Sequence, residues 1–155
     1  MDKIKNWEEY RPRAFEYKGQ WIYNWFSNMI PFTTPIIVQN IAYYSVENYY
    51  QAMKFKDARK RLYIARLEPH RAKREARKLV LREDWDDTMA IKVMKKALLH
   101  KWSQGPFRTQ LLKAKLPIIE WNNWNDKKWG VSVKDNEGQN LLGNLLTDIK
   151  NNLKS

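Results

Sequence analysis

Ser45-Val46-Glu47-Asn48-Tyr49-Tyr50-Gln51-Ala52-Met53-Lys54-Phe55 combines a helix start with an acid, a lysine and a run of aromatics. Ser45 can cap, and Asn48 stands where a capping box carries its glutamate. The helix this predicts runs through Tyr49, Tyr50, Ala52, Met53 and Phe55. Glu47 falls in its first turn, and Lys54 follows seven residues later. Seven residues make about two turns, so the spacing predicts both side chains on one helix face.

Upstream, Ile36 to Tyr44 is rich in β-branched and aromatic residues and is interrupted by Gln39-Asn40, the pattern of a strand or hairpin. Trp21-Ile22-Tyr23 predicts a short strand. Downstream the pattern turns helical. A short helix is expected over Arg59–Leu67. A second opens at Pro69, where proline suits a first turn, and carries Arg71, Lys73, Arg74, Arg77 and Lys78. The longest begins at Asp84, or at Asp86 and Asp87. Its apolar stripe is Met89, Val93, Ala97, Leu98 and Trp102, and Gly105-Pro106 ends it. Phe107 to Lys115 reads as another helix, Pro117 to Trp121 as a strand, and residues 122–130 as a polar, aromatic loop. Val131 to Val133 suits a short strand. Asn140 to Leu153 closes the chain as a helix with Leu141, Leu142, Leu145, Leu146, Ile149 and Leu153 on one face. There is no internal repeat and no linker. The expected fold is mainly α, a single compact domain over residues 1–155 with a few short β-strands.

A chain of 155 residues suits one domain. Its 43% hydrophobic and 14% aromatic content supplies a core and excludes disorder. The absence of cysteine removes disulfides, thiolate metal sites and cysteine nucleophiles, and fits a reducing, cytoplasmic setting. His70 and His100 alone cannot build a multi-histidine zinc site, so no metal and no cofactor are expected. Apolar runs such as Pro35–Val38 are too short to span a bilayer, and Met1 to Glu9 lacks the apolar core of a signal peptide.

The net charge of +12 is unevenly spread. Residues 1–53 carry five basic and five acidic groups. Residues 54–101 carry 16 basic and 7 acidic, and hold most of the excess. Such a field attracts phosphates, although a solvated helical face has the same composition.

No glycine-rich phosphate loop, Ser-His-Asp order or metal motif is present. What remains is Glu47 among Tyr43, Tyr44, Tyr49 and Tyr50, and Asp126 among Trp121, Trp124 and Trp129. Burial against aromatics favours a protonated carboxyl and makes it a proton donor. Aromatic walls also stack on bases. Equally, Glu47 could serve a helix dipole and the tryptophans a core. Lys54 is either a surface lysine or, in a partly apolar pocket, a nucleophile toward a carbonyl.

In order along the chain, these segments resemble the NADAR family, also called YbiA-like. The similarity runs from Trp25-Phe26-Ser27-Asn28 to about Lys150. Phe26-Ser27-Asn28-Met29 matches the family's opening Phe-Ser-Asn segment. Ser45–Phe55 matches Ser-x-Glu-His-x-Tyr-Gln-x-x-Lys-Phe. Ala72–Arg77 and Arg82-Glu83-Asp84-Trp85 follow. Then come Lys92-Val93-Met94-Lys95 and Lys101-Trp102, Glu120, Asp126-Lys127-Lys128-Trp129-Gly130, and Gly138 to Thr147 with Asn140-Leu141-Leu142-Gly143 inside it. The departures are Asn48 for His, Ala76 for Gly, Thr147 for Met and Lys150 for Arg. Of these, Ala76 bears on a close approach to ligand.

The resemblance implies a mainly α fold and hydrolysis of N-glycosidic bonds to ribose. The substrate classes it implies are ADP-ribose on guanine, including guanine in DNA or RNA, and phosphoribosyl intermediates of riboflavin synthesis. It makes Glu47, Lys54 and Asp126 the catalytic candidates, and Asn28, Tyr50, Trp85 and Trp129 the substrate contacts. Lys73 and Arg77 would hold phosphate oxygens by charge-assisted bonds. They lie four residues apart, so on a helix they share a face. Two other readings remain open from the sequence. One is a basic nucleic-acid-binding protein without activity. The other is an idle member sensing ADP-ribose or NAD, against which the intact Glu47, Lys54 and Asp126 weigh.

Overall fold

Gln39 and Asn40 both adopt the left-handed region, at φ 49° and 64°. That conformation joins two antiparallel strands in two residues, and it forms the expected hairpin of β3 (Ile36–Val38) and β4 (Ile41–Tyr43). The computed structural model describes residues 27–154 and the backbone of two earlier strands. These are β1 (Phe15–Tyr17) and β2 (Gln20–Ile22), which pair antiparallel. The expected strand at Trp21-Ile22 is therefore present. Tyr23, Trp25, Phe26 and the Met1–Glu9 reading lie outside the described residues.

Among the described residues there are six helices and only short strands. They fall into two compact units, one within Ala14–Phe107 and one within Arg108–Ser155. In the first unit, α1 (Val46–Ala52) packs against α2 (Ala58–Ala65), α3 (Pro69–Ala76) and α4 (Asp87–Trp102). All seven residues of α1 are buried, Glu47, Asn48 and Gln51 included. A central helix so placed must satisfy its polar groups internally. Ser45 Oγ accepts the Asn48 N–H at 3.0 Å and caps the helix. The Asn48 side chain does not complete a reciprocal capping box. Its amide instead donates to the carbonyls of Ile64 at 3.0 Å and Leu67 at 2.9 Å, tying α1 to the end of α2.

The long helix α4 is capped by Asp86, whose carboxylate accepts the Met89 N–H at 2.8 Å. Asp86 therefore starts it, not Asp84. Its buried side is Ala90, Met94, Ala97, Leu98, Lys101 and Trp102. Met89 and Val93 are only half-buried, so the apolar stripe is turned by about one residue from the expected one. On α3, Ala72 and Ala76 are buried four residues apart, so these methyls are the helix's packing surface. Small side chains there let a helix with few large apolar residues dock closely.

Tyr43 is fully buried, edge-on to Tyr49 at 5.6 Å between ring centroids. Its hydroxyl has no hydrogen-bond partner. Burial pushes the phenol up to about 12, with the Arg61 guanidinium pulling the other way. Leaving a buried hydroxyl unpaired costs about 1–3 kcal/mol. Tyr43→Phe removes only that hydroxyl, so thermal denaturation should show an unchanged or raised midpoint. A clear drop would reveal a partner for the hydroxyl.

α5 (Gly105–Lys113) leads into the second unit, which contains β5 (Trp121–Asn122), β6 (Val131–Ser132) and α6 (Leu141–Lys154). β5 and β6 pair in parallel, Trp121 opposite Val131. The strand expected over 117–121 is confined to its end. The Ile118 carbonyl and the Glu120 N–H are taken by the Asn140 side chain, at 2.9 and 3.0 Å, and not by a strand ladder. Gly130 and Gly143 are both closely approached, Gly130 by the Glu120 carbonyl and Gly143 by that of Ile118, where any Cβ would collide. Lys150 is buried, and its ammonium donates to the Leu111 and Leu112 carbonyls at 3.0 and 2.6 Å, satisfying the end of α5.

Candidate active site

Glu47 is a carboxylate only 7% exposed on a wholly buried helix of the first unit. Its Oε1 accepts from Gln51 Nε2 at 2.6 Å, one turn along α1. Its backbone N–H donates to the Asn28 carbonyl at 3.1 Å. Asn28 is thereby fixed beside the start of α1. Its side-chain amide lies 3.9 Å from Met94 Sδ, and its Oδ1 is buried without a partner.

Lys54 corrects the expectation of a shared helix face. α1 ends at Ala52, and Lys54 lies two residues beyond it. There the chain tightens: Lys54 N–H donates to the Gln51 carbonyl at 3.3 Å and Phe55 N–H to that of Ala52 at 3.1 Å. The Lys54 carbonyl accepts the Arg82 N–H at 2.8 Å. This anchors the segment leading to Trp85 beside Lys54. The half-buried Lys54 ammonium stands 5.0 Å from the centre of the Tyr50 ring. Tyr50 in turn meets Trp85 edge-on, 5.7 Å between centroids at 67°. Lysine, tyrosine and tryptophan are thus brought together, and Tyr50 is three residues from Glu47 along α1. A lysine over an aromatic face gains roughly 0.5–1 kcal/mol of cation–π attraction.

Lys73 lies on α3 and is half-buried, while Arg77 caps that helix in helical conformation, φ −62° and ψ −22°, and is exposed. Their four-residue spacing therefore persists through the helix end. Ala76, where the family has glycine, is 2% exposed, so its methyl packs within the unit.

Asp126 and Trp129 belong to the second unit. Asp126 Oδ1 accepts the backbone N–H groups of Lys128 and Trp129, both at 3.0 Å. The Asn122 side chain clamps the same loop, accepting the Asp126 N–H at 2.8 Å and donating to the Asp126 carbonyl at 2.7 Å. One oxygen of Asp126 thus shapes the turn that presents the half-buried Trp129. Lys128 lies 5.4 Å from the centre of the Trp129 ring.

Lys127 Nζ pairs with Asp135 at 2.5 Å and with Glu137 at 3.4 Å. The hydrogen bond from Lys127 holds the Asp135 carboxyl below the ordinary carboxylate range. A lowered value means that this pair supports the fold fully above about pH 4 and loses that support as pH falls through the lowered value. Lys127→Met should return Asp135 to the ordinary range, read by carboxyl-carbon NMR. An unmoved titration would mean the pair does not persist in solution.

Two residues that stand in the quoted motifs carry no assigned role from the sequence: Gln51, whose place i+4 from Glu47 on a helix makes the pairing legible, and Lys101, whose burial nothing local predicts.

The family model for the NADAR domain matches residues 14–154. The chain belongs to the NADAR family. It is 30% identical over 146 residues to the N-glycosidase Npun_R5314 of Nostoc punctiforme, covering 90% of this chain and 91% of that one. It is 35% identical over 136 residues to the N-glycosidase YbiA of Escherichia coli, covering 84% and 82%. The NMR structure of E. coli YbiA superposes with a TM-score of 0.71 at 32% identity, covering 94% of this chain and 86% of that one. The mainly α NADAR fold is thus the one observed. N-glycosidic hydrolysis is the activity class that these relationships assign to this NADAR chain. No helix among its described residues is long and apolar enough to cross a membrane.

Proposed function

We propose that the chain hydrolyses the bond between ribose C1 and a ring or exocyclic nitrogen, with ADP-ribose on guanine in nucleic acid as its first substrate. Phosphoribosyl intermediates of riboflavin synthesis are the second class. The observation that carries this reading is the buried Glu47 carboxyl on α1, the helix whose Tyr50 ring has the Lys54 ammonium 5.0 Å from its centre. A guanine departs as an anion unless it is protonated, so a positioned acid has a defined task. In its protonated form Glu47 gives its proton to the leaving nitrogen as the C1–N bond breaks. Positive charge grows on C1 and the ring oxygen. Lys54, as the free amine, takes C1. Ring opening moves the C1–O4 electrons to O4, which takes a proton from Nζ, and leaves a protonated Schiff base between C1 and Nζ. Water then adds to C1, returning a proton to Glu47, and the adduct collapses to the sugar aldehyde and the free amine. Trp85 or Trp129 is assigned to stacking on the base. Asp126 is assigned to the ribose hydroxyls or to the charge on the sugar. Lys73 and Arg77 are assigned to phosphate oxygens, and the basic segment to a nucleic-acid strand carrying the modified base.

The test is incubation with an oligonucleotide carrying ADP-ribosylated guanine and, separately, with a phosphoribosylated aminopyrimidine, followed by mass analysis. Free ADP-ribose or ribose phosphate with intact base is expected. Salt-dependent binding without any released sugar would instead support a non-enzymatic binding protein.

A further inference from the structure

Gln51 is 4% exposed, and its Nε2 donates to Glu47 Oε1 at 2.6 Å. Its other polar atom, Oε1, is buried without a hydrogen-bond partner. An unpaired buried carbonyl is uncommon because it forfeits a hydrogen bond that water would have given. The burial is not imposed by a lack of alternatives, since a leucine or methionine would fill an interior helix position without an orphaned acceptor. The orphaned atom has one evident use. A carboxylate needs a donor, whereas a carboxylic acid needs an acceptor for its O–H. A side-chain amide offers both, one on each side. It can exchange them by turning about its last bond, provided neither is tied elsewhere. In this chain the carbonyl side is untied.

We propose that Gln51 is the positioning residue for Glu47 and holds it in both protonation states. It donates through Nε2 to the carboxylate and, after the amide turns, accepts through Oε1 from the acid. This rests on the reading of Glu47 as the proton donor and extends it to the residue that keeps the acid aimed throughout turnover. Glu47 is otherwise fixed through its backbone, by the bond to the Asn28 carbonyl, so Gln51 governs the carboxyl itself. The i, i+4 spacing on one short helix keeps the pair together.

A double-mutant cycle tests this with Gln51→Met and Glu47→Gln in single-turnover assays on the ADP-ribosylated oligonucleotide. Gln51→Met preserves volume and should lower kcat about 30-fold with KM within threefold. Added to Glu47→Gln it should cost less than twofold more, because its partner acid is already gone. A merely structural glutamine would give multiplying losses, or a rise in KM to match, and either would overturn the proposal. The free protein supplies a readout independent of substrate. The Gln51 side-chain amide resonances should shift in Glu47→Ala while those of Asn122 stay in place. Unmoved Gln51 resonances would overturn the pairing even if catalysis is confirmed. A shift in Glu47→Ala, together with a wild-type protein that releases no sugar, would instead locate the failure in the proposed reaction.

Discussion

Glu47→Gln is expected to lower the rate of N-glycosidic cleavage about a thousandfold and to leave the protein folded. The amide keeps the carboxyl's shape and still meets Gln51, so packing around the wholly buried α1 survives. What it removes is the proton for the leaving base. General acid catalysis contributes typically 10²–10⁴-fold, and a thousandfold loss sits in the middle of that range. Stability should fall only slightly, since a first-turn acid at a helix N-terminus contributes typically 0.3–1 kcal/mol. The measurement is kcat from released sugar, with circular dichroism to confirm the helix content. Retention of more than a tenth of wild-type kcat would remove Glu47 from the acid role.

The second large effect concerns stability. Lys101 has no exposed surface, although it sits in the most basic third of the chain. Its ammonium donates to the Ser27 carbonyl at 2.8 Å and stands 4.7 Å from the Trp102 ring and 5.1 Å from the Phe107 ring. Lys101→Ala leaves a cavity and removes the charged donor to that carbonyl. Together these should destabilise the protein by about 3 kcal/mol, measured by urea denaturation. Lys101→Met fills most of the cavity and should recover about half of the loss. Ser27 precedes Asn28, whose carbonyl receives the Glu47 N–H. Loosening Ser27 should therefore lower kcat as well. A Lys101→Ala protein as stable as wild type would show that the buried ammonium contributes nothing net.

The features legible in the sequence were those set by neighbouring residues. Gln39-Asn40 marks the hairpin as a polar break in a β-rich run, and Asn40 is a residue that tolerates positive φ. Ser45, Pro69 and the Asp86 cap marked helix starts because capping is local. The end of α1 was misjudged because Met53 and Phe55 continue its apolar pattern. The chain instead tightens after Ala52, and the Lys54 carbonyl accepts from Arg82, distant in sequence. The strand over 117–121 was overextended for a similar reason. Pro117-Ile118-Ile119 has strand composition, but Asn140 claims the backbone groups a ladder would need. The sequence marks Glu47, Lys54, Tyr50 and Trp85 individually, but the contacts that join Lys54, Tyr50 and Trp85, with the lysine beyond the helix and not on it, depend on tertiary packing.

In the proposed reaction Lys54 acts at ribose C1 and Glu47 donates the proton to the leaving base. Sodium borohydride added during turnover of the ADP-ribosylated oligonucleotide reduces a Schiff base to a stable secondary amine. Tryptic mass spectrometry then locates the adduct. The account predicts one ribosyl adduct on the peptide containing Lys54, absent without substrate and absent in Lys54→Arg. A Lys54→Ala protein with full turnover, together with no adduct in the wild type, would contradict it.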